Sequence, residues 1–297
     1  IGYEVEKKHF PDIERFFREA HRRNVRVGFN DHTSAWYASR NYAGGRLPDG
    51  VPTKAPSQQA SLEYSWKGLT GLMKQGLDFW WWDLNWPAER GTTYWSPFKE
   101  IPDHTWYQRV YWDVQQQFKP ELRPYLWCYH LRATQNHRGA LRWTGDISIN
   151  GLRGNVVDMV NGGASLFPYV CPDVGGFGGP LTLGKASHPA QYERSRFEEF
   201  YKGDWWNNDG GSRKTVRWFQ MATFGSQFRS HGGMPRHPWL YGPEACALMK
   251  ETLRLRYRML PTVYAAARRA HDDGTPLMRR LDLEWPQHVE ARDPTQW

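Results

Sequence analysis

The feature that most constrains this chain is a recurring unit. A short, near-continuous apolar run ends in a polar or charged residue, and a stretch with helical periodicity follows. Six such runs read as strands: Val25 to Phe29, Gly76 to Asp83, Tyr125 to His130, Leu141 to Asp146, Ala164 to Asp173, and Phe224 to Arg229. Between them lie predicted helices. The first has Pro11 in its first turn and Ile13, Phe16, Phe17 and Ala20 on one face. A second carries Leu62, Trp66, Leu69 and Met73 and stops at Gly76. Asp103 caps a third, through Trp106, Val110, Val114 and Phe118. Short helices are expected over 155–160, 190–201 and 212–221, and a long one over 243–271 with a kink at Pro261. Residues 33–57 read as a long loop, and Leu277 to Trp285 as a strand of another domain.

Strands that are apolar throughout are covered on both faces, and alternation with helices makes the sheet parallel. Such a sheet either closes into an eight-stranded (β/α) barrel or stays open and doubly wound. The open form gains no support of its own, because no GxGxxG follows an early strand.

Composition removes other classes. Seventeen Trp, 15 Tyr and 14 Phe give the chain the material of a large core, which a disordered chain lacks. Mean hydropathy is −0.78, polar for so many rings, because most of them carry a polar edge. No apolar run approaches the roughly 18 residues of a membrane span. The net charge of +8 would admit nucleic acid as a partner. Acids interleave the bases throughout, however, and the densest stretch, Arg254 to Arg269, is patterned as a helix with a solvated face, so no nucleic-acid surface is expected. Cys128, Cys171 and Cys246 are odd in number and far apart, and read as free thiols. No metal-ligand spacing occurs, so no metal site is expected, and no GxSxG marks a serine hydrolase.

Three acids stand at predicted strand ends: Asp83 in Trp-Trp-Trp-Asp-Leu-Asn, Asp146 in Trp-Thr-Gly-Asp, and Asp173 in Pro-Asp-Val-Gly-Gly. Barrel enzymes place their chemistry at that end of the strands. Two carboxylates facing a sugar ring are what glycosidic cleavage needs, one to attack or stabilise the oxocarbenium-like centre and one to protonate the leaving oxygen. Tryptophans beside them offer flat faces to a sugar and desolvate a neighbouring acid. Strand alternation puts Trp81 on the face of Asp83, with Trp80 and Trp82 turned toward helices.

These residues resemble glycoside hydrolase family 31, the retaining α-glucosidases, α-xylosidases and their relatives. The similar stretches run in order: Gly76 to Asn85, Arg138 to Asp146, Pro172 to Phe177, Arg217 to Gly232, and Pro238 to Pro261. The resemblance implies Asp83 as nucleophile and Asp146 as general acid/base, with retention of configuration and no metal or organic cofactor. It places Trp81, Trp143, Asp173, Phe177, Arg229 and His231 around the cleaved sugar. Asp31 ends the first strand, and His130 falls where the family has a sugar-binding arginine; both join the candidate substrate set. Trp86 replaces the glutamate usual after Asp-x-Asn, and the interval from Asp83 to Asp146 is short. Those departures are more similar to the branch that acts on α-N-acetylgalactosaminides. A glycoside or oligosaccharide is therefore the expected partner. Transglycosylation is the alternative within the family, and a non-catalytic carbohydrate-binding protein the alternative outside it.

The family also accounts for six strands where eight are needed. Residues 1–274 correspond to a (β/α)8 TIM barrel from its third strand to its eighth, truncated at the N-terminus. Residues 275–297 correspond to the start of a C-terminal β-domain. Alone, such a partial barrel would expose sheet edges and aggregate.

Overall fold

The computed structural model describes residues 3, 5, 7–31, 58–83, 98, 100, 101, 103–128, 140–145, 151–177, 211–232 and 236–296. The chain forms two compact units, Ile1–Leu141 and Arg142–Trp297.

The first unit opens with α1 (Ile13–Arg22). Its N-cap is Asp12, whose carboxylate accepts the Arg15 amide at 2.8 Å, so Pro11 lies outside the helix rather than in its first turn. Glu14 in the first turn and His21 and Arg22 in the last complement the helix dipole. Phe17 is the residue α1 buries; Phe16 faces outward against Phe10. Then come β1 (Gly28–Asp31), α2 (Gln58–Gln75), β2 (Phe79–Trp82), α3 (Asp103–Phe118) and β3 (Leu126–Cys128). Gly76 ends α2 at φ +122°, a conformation open to glycine. The three strands are parallel and pair in chain order, β1 with β2 and β2 with β3.

Their core joins Phe17, Leu69, Leu72, Met73 and Leu77 to Trp80, Trp82, Val110, Tyr111, Val114, Leu126 and Cys128. Within β2 the pleat sorts the tryptophans as expected. Trp80 meets Tyr3 edge-on at 6.1 Å, and Trp82 stacks on Tyr111 of α3 at 5.7 Å. Trp81 lies on the opposite face, 5.4 Å from Trp127.

The second unit holds the paired end of β4 (Ala140–Trp143), then α4 (Leu152–Ala164), β5 (Val170–Cys171), α5 (Gly211–Ala222) and α6 (Pro243–Asp273). β4 and β5 are parallel, with Trp143 opposite Cys171. Ala245, Met249, Thr252 and Arg256 recur every three or four residues as the buried stripe of α6.

Several expectations need correction. The strand expected over 164–173 is only Val170–Cys171, because α4 runs on to Ala164 and Leu166 turns the chain at φ +66°. The strand expected over 224–229 is a single parallel bridge, Val174 to Ser230. The Arg256 guanidinium takes the carbonyls of Gly225 and Ser226, and of Thr223 just before them, so they are spent and do not join a strand ladder. Arg256 is thus buried, not on the solvated face expected of 254–269. No strand forms over 277–285. There Arg279 reaches Glu284 at 2.5 Å, a contact that an extended chain cannot make across five residues, and a 3-10 turn occupies Leu281–Leu283. α6 continues through Pro261, where the carbonyl deprived of its partner belongs to the exposed Tyr257. The helix expected over 190–201 and the loop expected over 33–57 lie outside the described residues.

Candidate functional site

In the first unit the site is built where β1 and β2 end. The backbone amide of Asp83 donates to the Asp31 carbonyl at 2.9 Å, which continues the ladder one step past β2. This anchors a carboxylate that is itself buried. Asn30, opposite Trp81 in the register, donates its side-chain amide to Asp83 Oδ2 at 2.5 Å. Asn30, Trp81 and Asp83 therefore share a face. The bond to a charged acceptor is of the strong kind and fixes the rotation of the carboxylate.

Asp31 lies opposite Trp82 and shares its face, the one turned toward α3. Its Oδ2 accepts the Tyr3 hydroxyl at 2.9 Å and the Tyr111 hydroxyl. Asp31 stands out in the sequence by its charge, but Asn30 is the residue beside Asp83.

In the second unit Asp173 follows β5 and is fully buried. Its Oδ1 accepts the Trp143 indole N–H at 2.8 Å and pairs with the Arg229 guanidinium. That guanidinium also lies 5.6 Å over the Trp143 ring. The bridge from Val174 to Ser230 brings Asp173 and Arg229 into register, and the Val174 amide donates to the Arg229 carbonyl at 3.1 Å. Trp143, Asp173 and Arg229 thus form one polar lock. Next to it the Phe177 and His231 rings lie 5.6 Å apart. Burial pushes the His231 imidazole down to about 3, and Arg229 and Arg236 push the same way, so the ring is neutral at neutral pH. A neutral imidazole both donates and accepts, as binding a hydroxyl requires.

Arg236 was not found by sequence reading. It is buried, and its guanidinium donates to the Gly176 carbonyl at 3.1 and 2.7 Å, pinning the turn that presents Phe177. Gly175 and Gly176 have φ of +98° and +78° in that turn. The Gly-Gly pair after Asp173 signals the turn; nothing local signals the arginine. Asp146 and His130 lie outside the described residues.

Among the described residues no group of three or more His, Cys, Asp or Glu could hold a metal ion. No described helix is long and apolar enough to cross a membrane. Burial pushes both the Cys128 and Cys171 thiols up, that of Cys171 to about 12, so neither is a thiolate nucleophile at neutral pH.

Residues 2–266 match the model of the TIM-barrel domain of glycosyl hydrolases family 31. An alpha-xylosidase from Saccharolobus solfataricus is 26% identical over 256 residues, 80% of this chain and 31% of that protein. A probable glucan 1,3-alpha-glucosidase from Oryza sativa subsp. japonica is 42% identical over 79 residues, 26% of this chain and 9% of that protein. Among solved structures, a GH31 alpha-xylosidase from a soil metagenome, complexed with xylose, aligns with a TM-score of 0.67 at 20% identity, covering 98% of this chain and 46% of that one. The chain spans less than half the length of each of these relatives. At 20% identity the structural likeness shows the fold, an α/β TIM barrel, and the family model covers most of the same residues. The chain belongs to glycosyl hydrolase family 31, as its TIM-barrel domain.

Proposed function

We propose that this chain is the catalytic domain of a retaining, exo-acting α-glycosidase with Asp83 as the nucleophile. The observation that carries the reading is the placement of Asp83. It is a buried carboxylate at the carboxyl end of a parallel strand, rotationally fixed by Asn30, on the face of Trp81. Barrel enzymes of every chemistry work at that end of their strands.

In this reading Asp83 attacks the anomeric carbon while Asp146 gives a proton to the leaving oxygen. A glycosyl ester forms on Asp83. Water then attacks, Asp146 takes back the proton, and the configuration is retained. Asp173, Arg229 and the neutral His231 receive sugar hydroxyls, while Trp81, Trp143 and Phe177 give apolar faces. The lock of Asp173 with Trp143 and Arg229 suits that role, since a preorganised site loses little on binding. Asp31 is assigned as a support of the Asp83 shelf, through its two tyrosine partners. Asp146 and His130 enter on the family resemblance alone. Residues 1–274 are read as barrel and 275–297 as the lead into a further domain.

The relatives' names point to α-xylosides and α-glucosides. Trp86 and His130 keep α-N-acetylgalactosaminides in the set to be tried. The test is Asp83→Asn in the full-length protein, assayed on aryl α-glucoside, α-xyloside, α-galactoside and α-N-acetylgalactosaminide. One of these is turned over by the wild type, and the variant loses at least three orders of magnitude on it. Wild-type turnover by Asp83→Asn refutes the nucleophile. Product analysis at high acceptor concentration separates hydrolysis from transfer to a sugar hydroxyl.

A further inference from the structure

The amino end of β2 carries a second concavity, which the reaction above does not use. It has a volume of about 420 Å³ and is lined by Arg26, Asp78, Phe79, Gln115, Lys119, Leu122, Arg123, Pro124 and Tyr125. That volume lies within the range of small-molecule pockets. Asp78 and Asp83 are five residues apart, so this cavity and the proposed nucleophile stand about 16 Å from each other along one strand.

The charged side chains of the cavity are three cations and one carboxylate. Arg26, Lys119 and Arg123 are cations. Gln115 is buried; its Oε1 accepts the Tyr125 amide at 3.1 Å, while its Nε2 has no hydrogen-bond partner. A buried amide with its acceptor used and its donor idle is uncommon in native interiors. The one carboxylate, Asp78, is already committed. It takes His21 Nε2 at 2.8 Å, the Val27 amide at 2.8 Å and Arg26 at 3.1 Å. Burial alone would raise its pKa, yet those partners hold it below the usual carboxylate value. Lys119 Nζ stands 4.0 Å from Asp78, with four-fifths of its side chain buried. Three cations against one committed carboxylate leave the lining with net positive charge, which favours an anion over a neutral sugar. An anion brings acceptors only. The apolar wall is Phe79 and Tyr125, packed edge to face at 4.9 Å.

We propose that this cavity binds a small organic anion, its phosphate or carboxylate head on Lys119 and Arg123, its apolar body on Phe79 and Tyr125. The site is remote from Asp83, so its ligand is distinct from the substrate.

The probe is phenyl phosphate, titrated calorimetrically into the full-length protein, with benzoate and the neutral benzyl alcohol as parallel arms. Saturable, salt-sensitive binding of phenyl phosphate is expected, weakened at least tenfold by Lys119→Met and by Arg123→Glu. Arg123 is exposed, so its replacement leaves the fold intact. Asp83→Asn is expected to bind the probe as the wild type does. Binding of benzoate in preference assigns a carboxylate head to the same site. Three results each overturn the proposal: no binding of either anion, equal binding of benzyl alcohol, or loss of phenyl phosphate binding in Asp83→Asn.

Discussion

Replacing Asp173 by Asn tests the polar lock at its centre. The carboxylate is fully buried, and Arg229, with 13% of its side chain exposed, is its cation. Asparagine keeps the shape and removes the charge, which leaves a nearly buried guanidinium without its counter-ion. Breaking one side of a buried pair costs about 3–5 kcal/mol. The residual exposure of Arg229 and the retained amide oxygen lower this to roughly 2–4 kcal/mol. With a urea slope of about 3 kcal/mol/M for a domain of this size, the midpoint should fall by about 1 M. Arg229→Met should cost a similar amount. The double variant should cost at least about 1 kcal/mol less than the two single effects added, because each single change strands the other partner. The assay is urea unfolding of the full-length protein followed by circular dichroism. Additive effects, or a midpoint shift in Asp173→Asn under about 0.3 M, would show that the lock does not hold this unit together.

Other outcomes follow from the same geometry. Asn30→Leu removes a hydrogen bond to a charged group, worth about 1.5–3 kcal/mol. If that bond serves the transition state, kcat/KM falls about 10- to 100-fold. Asp31→Asn should instead lower stability and leave kcat nearly unchanged, because its partners are Tyr3 and Tyr111. Equal kinetic damage from both would contradict the face assignment. His231, held neutral down to about pH 3, binds a proton in the unfolded chain below its ordinary value of 6.5. Stability should therefore decline as pH falls from 6.5 toward 3, by up to about 1.4 kcal/mol per unit from this group, and His231→Gln should flatten that slope. A slope unchanged in His231→Gln, or an imidazole titrating near 6.5 by NMR, counts against a buried neutral ring. Gly163→Ala would set a Cβ 2.3 Å from the Met278 carbonyl oxygen and 2.9 Å from the Pro276 Cβ. It should destabilise by about 1–3 kcal/mol, and a thermal midpoint unchanged in calorimetry would show that 276–278 does not pack on α4.

Alternation of apolar runs and helical periods made the α/β class readable, since both periods are properties of sequence. The pleat also sorts Trp80, Trp81 and Trp82 onto the faces they occupy. The first strand shows where such reading fails. It was placed at 25–29 and lies at Gly28–Asp31. Side-chain direction has a period of two, so choosing Asp31 over its neighbour meant choosing the opposite face. The acid drew attention by its charge, and the residue bonded to Asp83 is the neutral Asn30. Arg236 and Arg256 were illegible for another reason. An arginine in sequence reads as solvated surface, and only tertiary contacts show carbonyls waiting for its guanidinium. The strand expected over 277–285 had the right apolar residues, but the Arg279 to Glu284 contact closes the segment into a turn.

The central claim is that Asp83 becomes covalently glycosylated during turnover. Its most direct test is to treat the full-length protein with a 5-fluoro-α-glycosyl fluoride of the preferred sugar and map the product by peptide mass spectrometry. The account predicts one added glycosyl group per chain, on the peptide holding Asp83 and absent in Asp83→Asn. A label on another residue, or continued turnover with no covalent adduct at all, would contradict it.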